Sequence, residues 1–181
     1  MTIVVVAEKP SVARDLARTL GCSAHGEGCL RGAGYVVTWA IGHLVGLAEP
    51  HEIDARWRRW RLNDLPILPE RWPLVVLAPT RSQFDVVRSL LNAPDTEHVV
   101  CATDAGREGE LIFRYVYEKA GCKKPVMRLW LSSLTSDAIA RAFRELKSAA
   151  GYDRLAQAAR ARSRADWLVG MNFSRAYSVA H

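Results

Sequence analysis

The sequence predicts a wound, mostly parallel α/β domain over residues 1–150, followed by the helical start of a second domain over 151–181. Three observations carry that prediction. β-branched runs without polar alternation, such as Ile3-Val4-Val5-Val6, alternate with stretches whose apolar residues recur at helical spacing, as in strands buried on both faces between helices. Acids stand where two of these runs end, at Glu8 and at Asp104, on the edge where open α/β sheets bind ligands. After Gly151 the composition shifts to Ala and Arg.

The first strand is Ile3 to Ala7, with Glu8 and Lys9 at its carboxyl end. Pro10 suits a first helical position, and Val12, Ala13, Leu16, Ala17 and Leu20 follow at helical spacing up to Gly21. Taken singly, Glu8 is an ordinary acid near a helix start; a second acid cluster in a like position makes it a candidate. Cys22 to Arg31 is small, polar and Gly-rich and reads as a loop, and Tyr35 to Ile41 reads as the second strand. His43, just after it, reads more readily as a structural residue than as an acid or base.

Residues 44 to 73 carry prolines at 50, 66, 69 and 73, tryptophans at 57, 60 and 72, and the basic residues Arg56, Arg58, Arg59 and Arg61. Such interleaving suits base stacking and phosphate contact, but a long loop clamped by its tryptophans explains it at least as well. Leu74 to Ala78 reads as a third strand. Thr80-Arg81-Ser82-Gln83 has the form of a capping box ahead of Phe84, Val87, Leu90 and Leu91. His98 to Cys101 leads into the turn Ala102-Thr103-Asp104-Ala105-Gly106-Arg107-Glu108-Gly109-Glu110, then a helix to about Ala120. A strand from Val126 to Leu131 and a helix capped by Thr135, with Ile139, Ala142, Phe143 and Leu146 inward, complete the domain. In the last stretch Arg160 and Arg164 share one helical face, while Arg162 and Asp166 form a row of the same spacing on nearly the opposite face. One row is free to face phosphates while the other forms an ion pair.

Charge is unevenly placed. Residues 123–181 hold eleven Lys and Arg against four acids, whereas residues 1–122 hold fourteen against fifteen. A basic excess confined to one end suits a nucleic-acid partner, although an acidic protein would answer to it almost as well. The 49% hydrophobic content comes in short runs, each broken before the roughly eighteen residues of a membrane span. Neither a signal peptide nor a membrane segment is expected, and the cytoplasm is the default compartment. Cysteines 22, 29, 101 and 122 lack C-x-x-C spacing, so they read as reduced and structural.

The turn at 104–110 presents carboxylates rather than the Lys and free N–H groups of a phosphate cradle, which points to a divalent cation. Glu8, Asp104 and Glu108 converge if both strands run parallel, and hard oxygen ligands of this kind suit Mg²⁺. Glu110 reads as one half of a plain i, i+4 pair with Arg114. The two glycines permit close backbone approach.

Together the opening Val6-Ala7-Glu8-Lys9-Pro10-Ser11, the acidic turn, and the ending Arg164-Ala165-Asp166-Trp167-Leu168-Val169-Gly170-Met171-Asn172-Phe173-Ser174-Arg175-Ala176 resemble the N-terminal part of a bacterial type IA DNA topoisomerase of the topoisomerase III kind. The resemblance runs essentially the full length. It implies a Toprim domain, a Rossmann-like parallel sheet flanked by helices, with an N-terminal Glu and an Asp-x-Asp-x-Glu turn. Asp104 and Glu108 match the outer acids, and Gly106 stands where the family has its middle one.

By resemblance Glu8 serves in proton transfer and Lys9 stabilises transition-state charge, Asp104 and Glu108 with Glu8 are the candidate Mg²⁺ ligands, and Arg162 and Asp166 fall where the family's second DNA-binding region begins; Arg107, Arg160, Arg164 and Arg175 join them as candidate DNA-binding residues. The family cleaves, passes and religates single DNA strands through a tyrosine phosphodiester. None of Tyr35, Tyr115, Tyr117, Tyr152 or Tyr177 sits in the nucleophile's motif, so the fragment alone is expected not to relax DNA. Expected partners are single-stranded DNA and the remaining domains of the same enzyme, in a nucleoid-associated monomer. The alternatives are a Toprim nuclease or primase, or a non-catalytic nucleic-acid-binding module.

Overall fold

The computed structural model describes residues 1–181. Its elements in chain order are β1 (Thr2–Ala7), α1 (Pro10–Thr19), β2 (Ala24–Gly26), β3 (Cys29–Gly32), β4 (Tyr35–Trp39), β5 (Val45–Leu47), α2 (Pro50–Ile53), β6 (Leu74–Val76), α3 (Arg81–Leu91), β7 (Thr96–Ala102), α4 (Arg107–Lys119), β8 (Val126–Arg128), α5 (Ser136–Arg144), β9 (Lys147–Ser148) and α6 (Asp153–Ala180). Seven strands form one sheet in the order β2-β3-β4-β1-β7-β8-β9. Its centre, β4-β1-β7-β8, is parallel, and antiparallel strands close both ends.

Side chains alternate across a strand, so β1 and β7 feed two layers at once. Val4, Val6, Val99 and Cys101 pack with Phe84 and Val87 of α3 and Ile112, Phe113 and Val116 of α4. Val5, Ala7, Val100 and Ala102 pack on the other face with Ala13 and Leu16 of α1 and Ile139 of α5. This is the expected parallel sheet flanked by helices.

Four expectations need correction. The stretch at 22–31 is not a loop: β2 and β3 form a hairpin that adds to β4, with Leu30 opposite Val37. The run at 74–78 does not join the main sheet; β6 pairs antiparallel with β5, Val76 opposite Val45, in a sheet of its own. An apolar run reports burial but not which strand it will meet. The strands expected at 35–41 and 126–131 end earlier, at Trp39 and Arg128.

The capping box at Thr80 does not form either. Thr80 donates its hydroxyl to the Leu77 carbonyl at 3.2 Å. Gln83, which is buried, donates to the carbonyls of Gly28 at 3.2 Å and Trp39 at 2.9 Å. Two tertiary carbonyls that need a donor outcompete a local cap. Thr135 does cap its helix, accepting from the Ala138 N–H at 3.4 Å.

The C-terminal stretch is one helix of 28 residues. Its first half is continuous with the first domain, since Ala159 belongs to the same core cluster as α3 and α4. Farther along, Trp167 joins Trp57 and Ile67 in a separate small core and stacks edge-on against Trp72 at 5.3 Å. Asn172 accepts from the Ile67 N–H at 2.6 Å and donates to the Ile67 carbonyl at 3.0 Å. The tryptophan-rich loop is thus clamped, as one of the two readings had it.

Candidate active site

β1 and β7 are neighbours in register, Ala7 opposite Ala102, so the residues that follow each strand emerge side by side. Glu8 is 7% exposed, and its Oε2 accepts from the Asp104 N–H at 3.1 Å. Lys9 reaches over both acids, its Nζ 3.3 Å from Asp104 Oδ2 and 3.6 Å from Glu8 Oε1. The hydrogen bond to Asp104 is the first cause that raises the Lys9 pKa, followed by the charges of Asp104 and Glu8. Lys9 is therefore held cationic.

The turn is built to bring α4 against Asp104. A Cβ on Gly109 would lie 2.2 Å from the Asp104 carbonyl oxygen and 2.8 Å from its nitrogen, so only glycine fits there. Thr103, also buried, donates to the Gly109 carbonyl at 2.8 Å. Gly106 is different. Nothing lies within 4 Å of where its Cβ would go, so space does not demand a glycine at the position where the resembling family has an acid.

Arg128 holds the turn from beneath, and nothing in the sequence singled it out. It is 1% exposed and donates to the carbonyls of Thr103 at 2.8 Å, Asp104 at 2.8 Å, Leu129 at 2.8 Å and Cys101 at 3.2 Å. Its charge is met by Glu110 Oε2 at 3.1 Å. Glu110 does pair with Arg114, at 2.9 Å, but as a fully buried bridge between two arginines and not as a surface pair. Arg114 continues the chain of contacts to Asp153 at 2.8 Å and the Ala149 carbonyl at 2.8 Å. A charged residue closing an apolar strand was the available signal.

The three proposed metal ligands share the edge but do not form a cluster. No group of three His, Cys, Asp or Glu side chains is close enough to hold a metal ion. Glu8 is turned to the Asp104 amide and Lys9, and Glu108 contacts His43 Nε2. Asp104 and Glu108 keep side chains 53% and 67% exposed, offering two hard carboxylates to solvent. Two such ligands suit Mg²⁺, which commonly takes one or two carboxylates plus substrate oxygens and water. The donor chemistry fits; in this structure Lys9 sits against Asp104 and the His43 ring against Glu108.

The predicted DNA-binding residues divide. Arg107 and Arg162 line one cavity of about 230 Å³ with His43, Glu108 and Asp166, beside the acid edge. Arg162 and Asp166 form their i, i+4 pair at 3.5 Å, both well exposed. The other row lies against the first domain: Arg160 bonds Glu118 at 2.7 Å and sits over the Tyr115 ring, and Arg164 sits over Trp72. Arg175 is 5% exposed and donates to the Trp57 carbonyl at 2.7 Å, with Trp60 over its guanidinium. It is a clamp on the loop, closed to a phosphate in this conformation.

A parallel sheet flanked by helices, with Glu8, Lys9 and Asp104 gathered at its carboxyl edge, defines an α/β domain of the doubly wound kind, with polar residues where such sheets bind their ligands. The Toprim domain family model matches residues 3–134, and the chain belongs to that family. More particularly, its sequence is similar to that of bacterial proteins named DNA topoisomerase 3. It is 52% identical over 177 residues to DNA topoisomerase 3 of Shouchella clausii (strain KSM-K16), covering 98% of this chain and 24% of that protein. It is 53% identical over 176 residues to DNA topoisomerase 3 of Bacillus subtilis (strain 168), covering 97% and 24%. The chain thus spans about a quarter of the relatives it matches. Full-length topoisomerase I from Thermotoga maritima shares the fold, with a TM-score of 0.50 and 20% identity over 80% of this chain and 21% of that one.

Proposed function

We propose that this chain supplies the charge-handling half of a type IA topoisomerase active site, which cleaves, passes and religates single DNA strands through a tyrosine phosphodiester. The meeting of Lys9, Asp104 and Glu8 at one sheet edge is the observation that carries it. In the reaction the tyrosine hydroxyl gives up its proton as its oxygen bonds to phosphorus and the bond to the 3′-oxygen breaks, and the 3′-oxygen takes up a proton; religation reverses these steps. Phosphoryl transfer rests mainly on positioning and on neutralising oxygen charge. Lys9 supplies a fixed cation for a phosphate oxygen, and Glu8, beside it, is placed for proton transfer. Bound Mg²⁺, held by Asp104 and Glu108, would add Lewis-acid neutralisation.

The nucleophile belongs to another domain in this reading. Tyr35 packs edge-on against Phe143, Tyr115 is buried, Tyr117 donates to the Lys124 carbonyl, Tyr152 stacks on Trp130, and Tyr177 lies far along α6. The exposed stripe Val169, Phe173 and Tyr177 on α6 offers the remaining domains an apolar face to cover. Arg107 and Arg162 guide the single strand toward Lys9.

Mg²⁺ at about a hundredfold over its Kd raises the melting temperature by roughly 5–10 °C. Asp104→Asn abolishes that rise, as differential scanning fluorimetry reads directly. An undiminished rise in the variant removes Asp104 from the metal site.

A further inference from the structure

Trp130 is 41% exposed and leaves β8 at the same carboxyl edge from which Asp104 leaves β7. One side of its indole is stacked on Tyr152, with centroids 5.1 Å apart and planes 17° from parallel. The Arg128 guanidinium lies 5.0 Å from the indole and 6.0 Å from the Tyr152 ring. Neighbours that close to each other cannot flank the ring on opposite faces, so neither of them covers the second face, and Trp130 keeps 41% of its surface exposed.

Beside that indole opens a cavity of about 250 Å³, lined also by Arg141, Lys147 and Glu145. It is smaller than the roughly 300–1,000 Å³ of a site that encloses a drug-sized ligand, and suits one planar ring lying against the surface. None of the chain's ion pairs uses Arg141, Lys147 or Glu145. The rim is therefore net positive and its cations are uncommitted. A second cavity, lined by Asp104 and Ala105, shares Leu131 and Ser132 with the first. The acid edge and the indole are joined along the loop that follows β8. With strands about 4.8 Å apart, the two lie within reach of a few nucleotides of one single strand.

We propose that Trp130, with Arg141 and Lys147, forms a stacking subsite for one base of the single strand whose backbone crosses the acid edge. This rests on the reading above that the chain acts on DNA. Stacking accepts any base, because every base has a π-face, and the two cations meet the flanking phosphates. Tyr152 and Arg128 brace the indole from behind, so little side-chain freedom is lost on binding.

The test uses the full 181-residue chain and fluorescein-labelled oligothymidylate, read by anisotropy. Trp130→Ala weakens binding about fivefold or more, whereas Trp130→Phe, which keeps a ring on Tyr152, retains most of the affinity. Arg141→Ala with Lys147→Ala lowers the salt slope by about 0.7 for each phosphate left without its cation. Independently, an oligonucleotide carrying 5-iododeoxyuridine photo-cross-links to the peptide containing Trp130. Binding unchanged in Trp130→Ala, with no cross-link at Trp130, overturns the subsite while leaving the DNA reading intact. Absence of binding by the unaltered chain overturns the DNA reading, and the subsite with it.

Discussion

Cys101, the penultimate residue of β7, is 1% exposed and lies three positions before Asp104. Burial, the largest influence on it, pushes its thiol pKa up to about 11. A thiol whose folded pKa lies above its unfolded value holds its proton more tightly when folded, so stability is unaffected below about pH 9 and falls as pH rises toward 11. The full decline is about 3 kcal/mol. Urea unfolding between pH 8 and 11 reads it, and Cys101→Ala flattens the decline while costing about 1–2 kcal/mol at neutral pH. A decline equally steep in the variant assigns the effect elsewhere. Lys9, whose pKa is also raised, differs in being exposed to solvent: it adds little stability but holds a positive charge between two acids.

At the level of elements, β7, β8 and α4 are joined by the Arg128–Glu110 pair rather than by apolar packing alone. Removing one partner leaves the other charge buried without compensation. Glu110→Gln and Arg128→Met singly each cost about 3–5 kcal/mol in chemical denaturation, and the double variant recovers part of that stability. Strict additivity would mean that the two do not act as a pair. Because Arg128 also grips the Thr103 and Asp104 carbonyls, the single variants loosen the acidic turn as well. The i, i+4 spacing of Glu110 and Arg114 was legible in the sequence, whereas the burial of that pair was not. Spacing along a helix says which side chains meet on its surface, but strand order decides what lies over that surface.

Across the whole molecule, the first half of α6 packs on the sheet domain, with Ala159 in the same core cluster as α3 and α4. Ala156 and Ala159 are buried against it, and Trp167 donates to the Ala48 carbonyl at 3.1 Å. Truncation after Gly151 removes this packing, so the shortened chain melts earlier and less cooperatively, as calorimetry reads. An unchanged melting temperature would make α6 a separate domain.

What the sequence determined by itself is what local chemistry reports: buried strands from β-branched runs, helices from their periodicity, acids and Lys9 at strand ends, and an acid-rich turn with its resemblance to type IA topoisomerases. Only the tertiary structure decided the partners. It set Lys9 on Asp104 across 95 positions, put Arg128 under the turn, drew Gln83 from a cap to the sheet, moved β6 out of it and sealed Arg175 beneath Trp60. The physical reason is one of range. Periodicity and turn chemistry act over a few residues, whereas a buried charge or amide is satisfied by whichever distant carbonyl or carboxylate the topology brings within about 3 Å.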